Sequence, residues 1–380
     1  MKFLMISSYL PSVLNFRGKL LEAIHAQGFE IHIFAPNLNE FQTELNQLNT
    51  LGYQVYEIPM QRTGTNPVQD LKTFTAMYQL MREICPDYVL SYTIKPVIYG
   101  TLAAWLAKVP HRFALITGLG YAFQNVETGQ RSFFQKMVHR LYAQALKHAH
   151  QVFFQNPDDL KLFRQMHLLN QDQSAVVVNG SGVNVQDFDV IDLPKNEQGE
   201  VKVSFLLIAR LLGDKGIREY AQAARIVKQQ YPTVEFHLVG WIDENPSAIS
   251  QQELETWVAE KILNYWGKLS DVRPAIAASS VYVLPSYREG TPRTVLEAMA
   301  MGRAIITTDA PGCRETVIQG ENGYLVTVKS VDALVQVMNE FIKCPDLMIS
   351  MGQASRKLVL NKYDVNRVNT QMMSEMGLRS

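Results

Sequence analysis

Residues 203–230 read VSFLLIARLLGDKGIREYAQAARIVKQQ, and their order decides the fold class. The opening run, VSFLLIA, is apolar at all but Ser204, the pattern of a strand buried on both faces of a parallel sheet. ARLLGDKG breaks that run, with Gly213 and Gly216 bracketing Asp214 and Lys215 in a turn signature. IREYAQAARIVKQQ then reads as a helix. Strand, short turn and helix in that order form the repeating unit of an α/β protein whose parallel sheet is covered on both sides.

The unit recurs in both directions. Towards the N-terminus the apolar runs are KFLMI (2–6), EIHIFA (30–35), YVL (88–90), RFALI (112–116) and QVFF (151–154). A helix is expected around Gly18 to Gln27, closed by Gly28. Towards the C-terminus the runs are VEFHLVG (234–240), VYVLP (281–285), AIITT (304–308) and YLVTV (324–328). A chain of 380 residues can bury two cores. The polar stretch IDLPKNEQGEVK (191–202) contains a Pro and a Gly, and it precedes a fresh strand. It reads as a linker between a domain at 1–190 and another at 203–362, with a helical segment at 363–380 packing back on the first. The expected fold is α/β, with two doubly wound, Rossmann-like domains.

Composition narrows the function. Hydrophobic residues make up 47% and charged residues 19%, an ordinary globular balance. Lys+Arg and Asp+Glu number 36 each, which argues against a nucleic-acid partner met through bulk charge. Cys85, Cys313 and Cys344 form no CxxC and read as reduced thiols, not as a disulfide framework or zinc site. MKFLMISSYLP reads as a buried first strand, not as a signal peptide. No stretch approaches the ~20 apolar residues of a membrane span. The expected location is cytoplasmic.

In doubly wound folds ligands lie beyond the carboxyl ends of the strands. In the first domain that singles out SSYLPSVLNFRG, TIKPVIYG and ITGLGYAF, with Asn15, Arg17, Lys95, Thr117 and Gly118 as cleft candidates. Gly118 and Gly120 would let backbone approach a ligand. The first loop lacks GxGxxG, which argues against a dinucleotide oxidoreductase. In the second domain, Arg210 at the strand end and Lys215 in the turn can converge on one anion. A rigid fork beside a compact charge suits a diphosphate. The plainer reading is two surface cations capping strand and turn.

EGTPRTVLEAMAMG (289–302) belongs to the same set of strand ends. Thr291 is expected to N-cap and Pro292 to take the first helical position, before an apolar face of Val295, Leu296, Ala298 and Met299. A helix start offers N–H groups and partial positive charge to phosphate. Glu289 precedes that start and Glu297 follows it. Two acceptor-only side chains flanking a phosphate site suggest a ligand with both phosphates and hydroxyls. A solvated loop glutamate plus an acid stabilising the helix is the alternative.

Taken together, Arg210…Lys215 followed by Glu289-x7-Glu297 resembles the signature of the GT-B-fold retaining glycosyltransferases of family 4, the group 1 glycosyl transferases. The order LPSYREGTPRTVLEAMAMGRAIITTDAPGCRETVIQGENGYLV extends that resemblance over about 201–343. TIKPVIYG and ITGLGYAF resemble a bacterial branch acting on polyprenyl-diphosphate-linked sugars. The resemblance implies that Arg210 and Lys215 bind the donor's diphosphate and neutralise charge on the departing nucleotide. It implies that Glu289 accepts hydrogen bonds from the donor sugar and Glu297 from the ribose. Gly290 and the N–H groups near Arg293 and Thr294 would help hold the phosphates, and Lys268, Leu269 and Ser270 would reach the base.

The implied reaction moves a sugar, of the N-acetylhexosamine type, from a UDP-sugar to an undecaprenyl-diphosphate-linked sugar in surface polysaccharide synthesis. It retains configuration and needs neither metal nor cofactor. A same-fold epimerase or hydrolase of sugar nucleotides is one alternative, and a catalytically silent nucleotide-sugar-binding partner is another. One departure stands out. Many members carry a His in a first-domain loop, where this chain has LITGLGYAF with Thr117, and His111 lies at the wrong end of its strand. The only D-x-D, Asp187-Phe188-Asp189, lacks the context of a metal triplet.

From Thr128 to Pro157 there is no acidic residue, while Arg131, Lys136, Arg140 and Lys147 alternate with Phe133, Phe134, Met137, Val138, Leu141 and Tyr142. A basic amphipathic helix of this kind can lie on an anionic leaflet. That places the protein peripherally on the inner face of the cell membrane, with Arg131, Phe133, Phe134, Lys136 and Arg140 at the surface. A core-packed helix with an ordinary solvated face fits the same pattern.

Overall fold

The computed structural model describes residues 1–61, 66–119, 129–243, 245 and 247–378, with backbone alone for 129–134. The chain divides into two compact units, one of Met1–Ser181 with Asn366–Ser380 and one of Gly182–Val365.

The first unit holds strands β1 (Lys2–Ile6), β2 (Glu30–Ala35), β3 (Gln54–Glu57), β4 (Tyr88–Tyr92), β5 (His111–Ile116), β6 (Gln151–Phe154) and β7 (Ala175–Val177). They pair in the order β3-β2-β1-β4-β5-β6-β7, all parallel. The second unit holds β8 (Ser204–Ile208), β9 (Glu235–Val239), β10 (Asn264–Tyr265), β11 (Val281–Leu284), β12 (Ala304–Thr308) and β13 (Gly323–Val326). Their order is β10-β9-β8-β11-β12-β13, again parallel. Each sheet therefore starts in its middle, winds outward, and returns to place a later strand beside the first. The two switch points lie between β1 and β4 and between β8 and β11.

Helices cover both faces, so the central strands are buried throughout, as in the five residues of β8. This explains their near-continuous apolar runs. β3 and β7 are edge strands of four and three residues, partly exposed, and neither was among the expected strands.

Three boundaries differ from expectation. The first helix runs Pro11–Ala26, because Pro11 can open a helix without losing a needed N–H. Asn15 and Arg17 therefore stand on a helix, not in a loop. The stretch 191–202 is not a free linker but part of the second unit. The Arg303 guanidinium, 1% exposed, donates to the carbonyls of Ile191 (2.7 Å) and Asp192 (3.4 Å), and Lys195 pairs with Val201 across a small antiparallel bridge. At the other end the chain changes unit between Val365 and Asn366. Met372, Met373, Met376 and Leu378 lie in the first unit's core, and Gln371 Nε2 donates to the Val177 carbonyl at 3.2 Å.

Candidate functional site

At the β8/β11 switch point two loops are clasped together. Gly216 has φ +70°, and a Cβ there would stand 2.2 Å from the Pro285 carbonyl oxygen, so only glycine lets the turn after β8 lie against the end of β11. The Asp214 carbonyl accepts from the Tyr287 N–H at 2.8 Å and from Ser286 Oγ at 3.2 Å. A third loop, after β12, supports the second. The Glu289 N–H donates to the Pro311 carbonyl at 2.9 Å, and Gly312 (φ +80°) lies so close that a Cβ would meet the Glu289 carbonyl oxygen at 2.1 Å and that of Gly290 at 2.5 Å.

The result is an ion pair that sequence spacing alone could not place. Lys215 Nζ stands 2.6 Å from Glu289 Oε1, with side chains only 15% and 17% exposed. Burial opposes the ammonium, but the charge and hydrogen bond of Glu289 and the charge of Asp214 outweigh it and hold Lys215 above the ordinary lysine value. The charge of Arg210 presses on Lys215 in the opposite sense, so the two cations lie within electrostatic reach. Arg210 Nη1 is 3.0 Å from Asp243 Oδ2.

The helix after β11 runs Arg293–Ala300, with Pro292, not Thr291, at its N-cap and no side-chain cap. The fixed proline φ (−73°) with extended ψ (109°) moves the start one residue later than expected. Val295 and Leu296 donate their N–H groups to the Pro292 carbonyl at 3.1 and 3.4 Å. The Thr294 hydroxyl turns inward, accepting from Tyr282 OH at 2.6 Å and donating to the Ile208 carbonyl at 3.3 Å. Glu297 is 6% exposed and 2.8 Å from Arg293 Nε. Burial pushes its carboxyl above the usual range, and Arg293 offsets part of that rise.

Of the expected base contacts, Lys268 Nζ lies over the Trp241 ring at 5.1 Å and Ser270 is exposed. Leu269 packs against the cluster containing Ile208 and Leu284, a packing role for its side chain. Asp243 and Gly312 were not singled out from the sequence. The Pro311-Gly312 dipeptide marks a turn and could have flagged the latter. Asp243 carries no motif.

The first unit's switch point has different chemistry. Ser8 Oγ and Thr93 Oγ1 are 2.8 Å apart across the ends of β1 and β4. Ser12 Oγ lies 3.1 Å from Ser7 Oγ and 2.8 Å from Tyr92 OH. Thr93 has φ +70°, a strained setting for a β-branched residue. The Arg17 side chain is 3% exposed and lies over the Tyr92 ring at 5.7 Å, while Asn15 is exposed. Lys95, expected in the cleft, is paired with Asp70 at 2.7 Å, and Tyr99 OH donates to the same carboxylate at 2.9 Å. Thr117 and Gly118 follow β5 and are half-buried, with Gly118 at φ +153°. Gly120 lies outside the described residues.

On the Gly129–Leu146 helix, Lys136, Met137 and Arg140 are exposed, while Val138 and Tyr142 are buried in the core. The apolar face read as membrane-facing is thus partly core. The side chains of Arg131, Phe133 and Phe134 lie outside the described residues. Among the described residues no helix is long and apolar enough to cross a membrane, and no group of three His, Cys, Asp or Glu side chains could hold a metal ion. Asp187 accepts from Asn184 Nδ2 at 2.7 Å, and Asp189 is 3.4 Å from Arg356.

Residues 202–344 match the family described as "Glycosyl transferases group 1", and residues 12–156 match one described as "Glycosyl transferase 4-like". The N,N'-diacetylbacillosaminyl-diphospho-undecaprenol alpha-1,3-N-acetylgalactosaminyltransferase of Campylobacter jejuni is 30% identical, over 93% of this chain and 93% of its own length. The UDP-Gal:alpha-D-GlcNAc-diphosphoundecaprenol alpha-1,3-galactosyltransferase of Escherichia coli is 22% identical, over 82% and 80%. Sucrose-phosphate synthase from Thermosynechococcus elongatus superposes with a TM-score of 0.79 at 18% identity, covering 99% of this chain and 98% of its own. Anabaena HepE in complex with UDP gives 0.76 at 18% identity, covering 99% and 100%.

Proposed function

We propose, from the premise that this chain belongs to the group 1 glycosyl transferases and is a glycosyltransferase of the GT-B fold, that it moves an N-acetylhexosamine from a UDP-sugar to an undecaprenyl-diphosphate-linked sugar, with retention of configuration. The observation that carries this reading is the Lys215–Glu289 pair at the β8/β11 switch point, with Arg210 beside it and the start of the Arg293–Ala300 helix following Glu289. The names of two relatives, which print diphospho-undecaprenol acceptors and in one case a UDP-Gal donor, support the choice of substrates.

In this reading the donor's diphosphate lies on the Arg293–Ala300 helix start and takes Lys215 and Arg210 as counter-ions. As the sugar–phosphate bond breaks, negative charge grows on the leaving oxygen, and these two fixed cations stabilise it. Glu289, released from Lys215, accepts hydrogen bonds from the sugar hydroxyls. Glu297 accepts from the ribose. The leaving phosphate assists the incoming hydroxyl on the same face. Arg210 and Lys215 supply the positive charge, so the reading calls on no metal ion, and turnover in the presence of a chelator tests that point. Lys136, Met137 and Arg140 on the exposed side of the Gly129–Leu146 helix support peripheral attachment to an anionic membrane, where a lipid-linked acceptor would be met.

Incubation with a panel of UDP-sugars, with and without a diphosphate-lipid-linked sugar, followed by mass spectrometry of the products, tests the reading. Sugar transfer with matching UDP release only in the presence of acceptor is the expected result. UDP release or sugar isomerisation without acceptor would replace it with a hydrolase or epimerase. Donor binding without any turnover would point to a silent partner protein.

A further inference from the structure

Asp243 is the one partner of a site cation that neither the diphosphate nor the sugar requires. Its placement does not depend on Arg210 alone. The loop that carries it is tied to the loop after β8 by four backbone hydrogen bonds: Ala209 N–H to the Val239 carbonyl (3.1 Å), Leu211 N–H to the Trp241 carbonyl (2.9 Å), Gly213 N–H to the Ser247 carbonyl (2.8 Å) and Ile249 N–H to the Leu211 carbonyl (2.8 Å). Within that frame Asp243 Oδ1 accepts from the Asn245 N–H at 3.0 Å, which leaves Oδ2 aimed at Arg210 Nη1, 3.0 Å away. Gly240 (φ +155°), where a Cβ would stand 1.9 Å from the Ala209 carbonyl oxygen, keeps the two loops in contact.

The two site cations therefore have carboxylate partners of different kinds. Glu289 loses Lys215 to the diphosphate but, under the function proposed above, gains the sugar hydroxyls. Asp243 gains nothing on donor binding, because its second oxygen is committed to its own turn. An anion that takes Arg210 must compete for it with a carboxylate 3.0 Å away.

We propose that Asp243 is a positioning residue that acts through Arg210 as a resident counter-ion, weakening the hold on the nucleoside diphosphate so that the product leaves after transfer. The diphosphate displaces or shares Arg210 on arrival, and Asp243 recovers it on departure. The inference rests on the proposed function, since it takes the ligand of Arg210 to be a diphosphate. Competition for Arg210 from a carboxylate 3.0 Å away at a partly exposed site should change diphosphate affinity by about tenfold.

The test is a double-mutant cycle read by calorimetry with UDP, and by steady-state kinetics. Asp243→Asn keeps an oxygen for the Asn245 N–H and removes only the charge. It is expected to tighten UDP binding about tenfold and to lower donor KM and kcat together, as slow product release requires. In an Arg210→Ala background the same change should leave UDP affinity unaltered. Unchanged or weaker UDP binding in Asp243→Asn, with melting temperature preserved, would overturn the inference while leaving the proposed function intact. Tightening of the same size without Arg210 would overturn the route through that residue. Failure of the unaltered protein to bind UDP, or inorganic pyrophosphate as a second probe, would overturn the inference and the proposed function together.

Discussion

The two switch points share a topology and almost nothing else. Between β8 and β11 the loops are clasped by glycines at positive φ, and their side chains form ion pairs, Lys215 with Glu289 and Arg210 with Asp243. Between β1 and β4 the strand ends are joined by hydroxyls, Ser8 with Thr93 and Ser7 with Ser12 and Tyr92. Under the proposed function, one crevice would take an anion and the other a partner that exchanges mainly neutral hydrogen bonds. A doubly wound sheet fixes where a ligand goes, and the loop residues fix what it is. The contrast fits a donor held by charge in one unit and a sugar acceptor met by hydroxyls in the other.

The largest expected effect falls on the charged side. Lys215→Ala should lower transfer on the order of 100-fold or more, because it removes a fixed cation from the developing leaving-group charge. Near-normal turnover would erase the distinction between the crevices. Gly216→Ala comes next. It forces a Cβ against the Pro285 carbonyl at positive φ and should cost about 2 kcal/mol of stability, read by denaturant titration, along with UDP affinity. A stable variant with intact UDP binding would show that the clasp is dispensable.

On the hydroxyl side, Ser8→Ala should raise the acceptor KM several-fold, the scale of one lost hydrogen bond, and leave UDP affinity unchanged. A change in UDP affinity instead would blur the comparison. The smallest effect is one the two units share. His32, 3.0 Å from Glu30, and His237, 3.3 Å from Glu235, are both buried, and burial lowers both below the ordinary 6.5 despite the neighbouring glutamates. The folded chain therefore favours neutral imidazole. The unfolded chain binds the extra protons as pH falls through 6.5, so stability should drop with acid below that point. Replacing either histidine by Gln should flatten the drop measured by thermal unfolding between pH 7 and 5. An unchanged slope would remove these imidazoles as its source.

The sheets were legible because strands buried on both faces are apolar over most of their length, as in β1, β2, β6 and β12, whose expected and observed spans coincide. β3 and β7 were harder to read because each is short, four and three residues, and β3 is also polar at both ends. In the site, Arg210, Lys215, Glu289 and Glu297 could be picked out because charge beside Gly and Pro signals a strand-end turn. Their pairing could not, because it depends on three loops from non-adjacent stretches of chain meeting at Pro285 and Pro311. Lys95 shows the same limit in the first unit. The sequence marks a cation in a strand-end loop but not its partner, Asp70, 25 positions earlier. Asp243 had no local signature, because its meaning lies wholly in the partner it faces.

The chain passes from the first unit to the second at Ser181/Gly182 and back at Val365/Asn366. A Cβ on Gly182 would stand 2.7 Å from the Val365 Cα, so the two passages run side by side. The order of synthesis and the order of completion are therefore reversed. The unit made first on the ribosome stays open beside its core until Met372, Met373, Met376 and Leu378 emerge, by which time the second unit has its full set of residues. A chain released after residue 365 would carry every residue of the second unit and an unfinished first unit, with an apolar slot waiting for the tail.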